Sequence, residues 1–226
     1  MSIGARTYIW SVIALGLSIL IACASLDPHI HNTARFLQLL VLAVLASTFK
    51  IRLPGVHGTM SLNFVIYLIG ISTLTVFETV MIAAMATVAQ SLWRPKTRPD
   101  GMKIAFNMSA LSISASAAFY ASQLIVPVET RVPALVLAAT VLFTVNTWLI
   151  SLVVALTSRQ SPMIVWRNCN RWIFVYYVMG AGVAALVTAY SHLVGWNQAL
   201  AMLPATYLMY AYCDGYIAKV REARMA

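Results

Sequence analysis

The residues of this chain with the capacity to bind something are amides and hydroxyls embedded in apolar sequence: Asn63, Gln90, Asn107, Ser114, Gln123 and Asn146. An amide carries two donors and an acceptor oxygen, and no charge. Its chemistry is recognition by hydrogen bonding, not proton or group transfer. Left unpaired in an apolar medium such a group costs roughly 2–7 kcal/mol. These side chains are therefore expected to face inward, where they either fix helix register by bonding one another or coordinate a bound solute. Asn63, Asn107 and Asn146 form the set of most interest, since three helices can bring them together. Ser114 belongs to a ladder with Ala110, Ala118 and Ser122, and Ser109, Ser112 and Ser116 lie beside it. Small residues four apart let helix backbones approach closely. Close packing is the plain expectation, with Gly180 and Ala184 as the facing groove; a serine-lined pocket is the alternative.

Catalytic chemistry finds little support in the residue pattern. The acids Glu78 and Asp214 stand near helix ends, and neither they nor Glu222 have an acidic partner at catalytic spacing. No G-x-S-x-G, H-E-x-x-H, P-loop or dinucleotide fingerprint occurs, so no enzyme and no cofactor is expected. Asp27, His29 and His31 offer three metal ligands at most and read as solvated surface, with His57 assigned to the opposite face. Cys23 follows Leu20-Ile21-Ala22 in a run that resembles a bacterial lipobox, but the expectation is a first transmembrane span in which a cysteine follows small residues. Cys169 and Cys213 are expected at or near the cytoplasmic face, without a structural disulfide.

The elements that must position these groups are membrane helices. Of 226 residues 61% are hydrophobic and only 9% charged, against about 25% charged in soluble domains. Apolar runs near the ~20 residues needed to span a bilayer recur along the whole length. The reading is an all-α, polytopic helix bundle forming one membrane domain over 1–226. Its helices are expected at about 7–26, 34–49, 61–76, 79–93, 103–126, 134–158, 172–194 and 199–222. Residues 159–171, which mix Arg with Met163, Ile164 and Trp166, read as an interfacial segment. Trp93, Trp172 and Trp196 suit interfacial belts.

The stretch Ser61 to Trp93 decides the topology. One helix there would be about 50 Å long, well beyond the ~30 Å hydrocarbon core. Two helices need a turn near Phe77-Glu78, with Glu78 at the outer tip. Two helices also place Arg6, Lys50, Arg52, Arg94, Lys96, Arg98, Lys103, Arg159, Arg167, Arg171, Lys219, Arg221 and Arg224 on one side, leaving Arg35 and Arg131 opposite. The positive-inside rule favours that arrangement, with both termini cytoplasmic and eight spans in an inner membrane. The net charge of +9 then reflects topology and lipid headgroups, not nucleic acid. The partners expected are the bilayer, a protein at the cytoplasmic face and a small-molecule ligand.

Leu53-Pro54 through Gly58-Thr59-Met60-Ser61-Leu62, the apolar hairpin, the basic loop and Phe106-Asn107 form a pattern. It resembles the amino-terminal membrane modules of bacterial GGDEF and HD-GYP signalling proteins. Tyr207 to Tyr210 and on to Arg221-Glu222 are similar to the helix that leaves such modules. Those proteins continue into a coiled coil and an output domain, whereas this sequence stops at Ala226. The resemblance therefore implies a sensory module acting through a partner, with Lys219, Arg221 and Arg224 as the coupling element. The layout is also loosely similar to substrate-binding subunits of vitamin uptake transporters. On that reading Pro54, Gly55, His57 and Gly58 form a gate or a docking loop. A structural subunit of a larger membrane complex is the third alternative.

Overall fold

The structure is a computed structural model that describes residues 3–26, 29–48, 50–52, 59–61, 63–93, 100–125 and 132–196, together with positions 208, 211, 212 and 215. Among these the chain forms seven helices and one pair of strands. In order they are α1 (Ile3–Leu26), α2 (Thr33–Ala46), β1 (Lys50–Arg52), β2 (Thr59–Ser61), α3 (Asn63–Thr73), α4 (Val76–Leu92), α5 (Gly101–Gln123), α6 (Val132–Ser158) and α7 (Pro162–Val194). Three of them, α1, α5 and α6, are long and apolar enough to cross a membrane. The expected helix over 199–222 falls mostly outside the described residues; the four described positions within it are helical and exposed.

Two short strands were not anticipated. They pair antiparallel, Lys50 with Ser61, Ile51 with Met60 and Arg52 with Thr59. α2 ends at Ala46, capped by Ser47, and the backbone of 50–52 and 59–61 satisfies its hydrogen-bonding groups by pairing across. The candidate loop residues Pro54, Gly55, His57 and Gly58 lie between the strands, outside the described residues.

α3 and α4 are separate helices, but their boundary sits at Leu74-Thr75 rather than at Phe77-Glu78. Thr75 is the N-cap of α4: its hydroxyl accepts from the Glu78 N–H at 3.2 Å, and Glu78 Oε2 accepts from the Thr75 N–H at 2.9 Å. This reciprocal capping box stops one helix and starts the next without Gly or Pro. Two contacts show that the pair folds back on itself. Thr79 lies against Gly70 near the turn, and Thr87 lies beside Tyr67 further along. Glu78 is consequently no exposed tip, being 1% accessible. The Ser72 and Thr188 hydroxyls meet at 3.1 Å. Thr188 is about 9 Å short of the end of α7, so the turn is recessed into the bundle.

α3 is the centre of the molecule. Every residue from Asn63 to Ile71 is buried, and the helix packs on α2, α4, α5, α6 and α7. At about 16 Å it is too short to cross a bilayer alone. Its burial is possible because NFVIYLIGIST carries no charged side chain on any face. α5 is the second hub, packed on α1, α4 and α6.

Ser109, beside the small-residue ladder of α5, lies against α1. A Cβ on Gly16 would overlap the Ser109 backbone, so only glycine allows this approach. Gly180 has a different neighbour from the one expected: a Cβ there would overlap the Phe64 ring on α3. The segment 159–171 is not a separate interfacial piece, because 162–171 opens α7 as one continuous helix. Outward faces remain apolar: on α1, Trp10 is 55% and Ile21 67% exposed. A surface of this kind is solvated by lipid tails rather than by water.

Candidate functional site

α3 delivers two polar side chains one turn apart on the same face, Asn63 and Tyr67. Both are 2% accessible. The Tyr67 hydroxyl lies beside Asn63 and beside Thr87 of α4. Yet neither that hydroxyl nor the Asn63 Oδ1 and Nδ2 atoms complete a hydrogen bond among the described residues. The Thr87 hydroxyl donates to the Ala83 carbonyl at 2.7 Å, which leaves its oxygen able to accept. The amide and the phenol are thus neighbours in the bundle interior whose hydrogen-bonding capacity is not used up. Native proteins pair nearly all such atoms, so a group placed beside them would find donors and an acceptor ready.

Aromatic rings wall this polar pair. Tyr177 of α7 stacks on Phe64 with centroids 4.5 Å apart, and Phe143 of α6 meets Tyr177 edge-on at 5.2 Å. The Tyr177 hydroxyl lies beside Asn146 of α6, while its ring is close enough to Tyr67 for the two phenols to interact. A chain of neighbours therefore runs from Asn63 through Tyr67 and Tyr177 to Asn146. Directly after Asn146 on α6, Trp148 stacks on Trp166 of α7 at 5.7 Å, and the Trp166 indole N–H donates to the Thr147 hydroxyl at 3.2 Å. Charged side chains are absent from this set, so the site presents neutral hydrogen-bonding groups in an aromatic frame.

Of the six predicted ligand-binding residues, the fold links Asn63 and Asn146 only through Tyr67 and Tyr177. Gln90 sits three residues beyond Thr87 on α4, half-buried. Asn107 does not join them: with Lys103, four residues before it, it lies on an exposed face near the start of α5. Gln123 is exposed at the last residue of α5, its amide 3.5 Å from the Ser122 hydroxyl. Ser114 is buried, but its hydroxyl donates to the Ala110 carbonyl at 2.7 Å. Ser112 and Ser122 likewise bond back to Met108 and Phe119. These three hydroxyls are satisfied within α5, and Ser109 reaches the Ile13 carbonyl of α1 at 3.4 Å.

Other sequence candidates fall apart from the site. His29 and His31 are exposed, and Asp27 lies outside the described residues. Cys23 is a buried free thiol; the Cys169 side chain and Cys213 lie outside the described residues, as do Lys219, Arg221 and Arg224. Tyr67 and Tyr177 were missed because an apolar run conceals a tyrosine. The spacing of Asn63 and Tyr67 at i and i+4 was the available signal. The capping box Thr75-x-x-Glu78 was equally legible and was overlooked.

A shallow groove of about 250 Å³ runs between α6 and α7, reaching the site at Phe143 and Tyr177. No family model matches this chain, and no curated protein or solved structure is similar to it. The class of protein accordingly rests on its elements: a helical protein with three helices apolar and long enough to span a membrane.

Proposed function

We propose that this chain is a ligand-binding membrane module that works through a partner, with eight helices in an inner membrane, α3 and α4 among them as a hairpin that turns inside the bundle, and both termini cytoplasmic. The observation supporting a ligand is the buried pair Asn63 and Tyr67, whose amide and phenol lie side by side and complete no hydrogen bond among the described residues. Removing an unsatisfied buried polar group ordinarily stabilises a fold, so a chain that retains one in its most buried helix uses it. The partner reading rests on the basic residues Lys219, Arg221 and Arg224 as a coupling surface. Screening thermal stability of the purified protein in lipid nanodiscs against a panel of metabolites tests the site. A stabilising compound should lose its effect in Asn63→Leu. A compound that stabilises the variant as well as the native chain counts against this site, as does a broad panel without any effect. Deleting 217–226 should abolish co-purification of the partner while leaving the bundle folded.

A second reading, a small-solute transporter or the substrate-binding subunit of one, is favoured by the interrupted pair α3 and α4. Helices that stop inside the bundle commonly frame substrate sites in transporters. Uptake by proteoliposomes that depends on Asn63 would select it over the sensor.

A further inference from the structure

The groove between α6 and α7 deepens the ligand-binding reading and rests on it. We infer that the ligand is an uncharged, lipid-dissolved molecule that enters sideways from the bilayer, its apolar body in this groove and its polar end at Tyr177. The lining is the first argument. Val136, Ala139, Val178 and Ala181 make its flanks and Phe143 and Tyr177 its deep end, with no charged residue among them. The Thr140 hydroxyl, which also borders it, donates to the Val136 carbonyl at 2.8 Å. Tyr177 is therefore the lining residue whose polar atom is turned to another element, toward Asn146. A charged or strongly polar solute would lose its hydration along this path without replacement.

Access is the second argument. The rim is open, with Val136 52% and Val178 54% exposed, and these faces belong to helices whose outer surface is apolar. From Val132 to Phe143 the groove follows about 16 Å of α6, roughly half of the ~30 Å hydrocarbon thickness. One leaflet's depth of chain fits along it and stops at the aromatic wall. The third argument is continuity. The Tyr177 ring that closes the groove is the ring that stacks on Phe64, and Phe64 is next to Asn63. A ligand pressing on Tyr177 from the groove acts directly on the helix that holds the unpartnered amide. Bilayer composition is thereby coupled to the centre of the fold.

Gly182 supplies the test. It borders the groove, and nothing lies within 4 Å of where its Cβ would be. Gly182→Leu therefore plugs the groove without disturbing the core. Nanodiscs containing phosphatidylcholine with a photoreactive diazirine in the acyl chain would be irradiated and the labelled residues mapped by mass spectrometry. Labelling should concentrate on 132–143 and 174–185 over the exposed face of α1 around Trp10 and Ile21, and Gly182→Leu should abolish the excess. Equal labelling of both faces, or labelling unchanged by Gly182→Leu, would overturn lateral binding. The same variant should lose stabilisation by lipid-soluble compounds found in the screen. Stabilisation by a water-soluble compound, lost in Asn63→Leu but kept in Gly182→Leu, would retain the site and reject entry from the bilayer. Groove labelling that persists in Asn63→Leu with no stabilising compound of either kind would reject the site and reduce the groove to annular lipid.

Discussion

Asn63 carries the sharpest consequence at the scale of single residues. Its amide is buried on α3 and completes no hydrogen bond among the described residues. Asn63→Leu should therefore raise the stability of the ligand-free protein by about 1–3 kcal/mol, read as an increased midpoint of unfolding. A loss of stability would show that the amide is bonded and structural. Two glycines on α7 make a paired prediction. Gly180→Ala drives a methyl into the Phe64 ring and should cost about 1–3 kcal/mol through overpacking. Gly182→Ala meets open space and should be neutral or stabilising by up to about 1 kcal/mol through helix propensity. These residues are two apart on one helix, and nothing in the sequence ranks them. The contrast comes from which side of α7 faces α3.

For the elements, the break between α3 and α4 matters most. It is made by side chains, not by a helix breaker. Thr75→Ala should lower stability by about 1 kcal/mol, the usual worth of an N-cap. Glu78→Gln should be tolerated, because Gln fills the same position in a capping box. Midpoints of thermal unfolding in nanodiscs check both; a Glu78→Gln variant that fails to fold would show that the carboxylate charge itself is required. Two helices over 61–93 were legible from length and from charge placement. The position of the turn was read three residues late, because the lone acid was taken as a solvated tip. In the fold that acid serves the backbone of the turn and is buried. The serines of α5 teach the opposite lesson. Their spacing was read correctly as a packing surface, but the partner helix was not, since small residues occur on α1 and α7 alike.

At the scale of the whole molecule the proposal is a topology of eight membrane helices with cytoplasmic ends, in which the hairpin of α3 and α4 enters and leaves on one side. Single cysteines placed at residue 2 or residue 225 of a cysteine-free variant should resist an impermeant reagent added to intact cells, whereas one at Arg131 should react. Reaction at either terminus would sink the arrangement. The apolar helices, the interruption inside 61–93 and the gathering of cations in particular loops were all decided by the sequence, because length, hydropathy and charge are local properties of a chain. Which side of each helix turns inward was decided by the tertiary structure alone. In water the buried face of a helix is apolar and the other polar, so pattern reveals orientation. Against lipid both faces are apolar and the pattern is lost. Asn63 and Asn146 could thus be named as polar residues in apolar runs, while their connection through Tyr67 and Tyr177, and the separation of Asn107 from them, depended on how the helices pack.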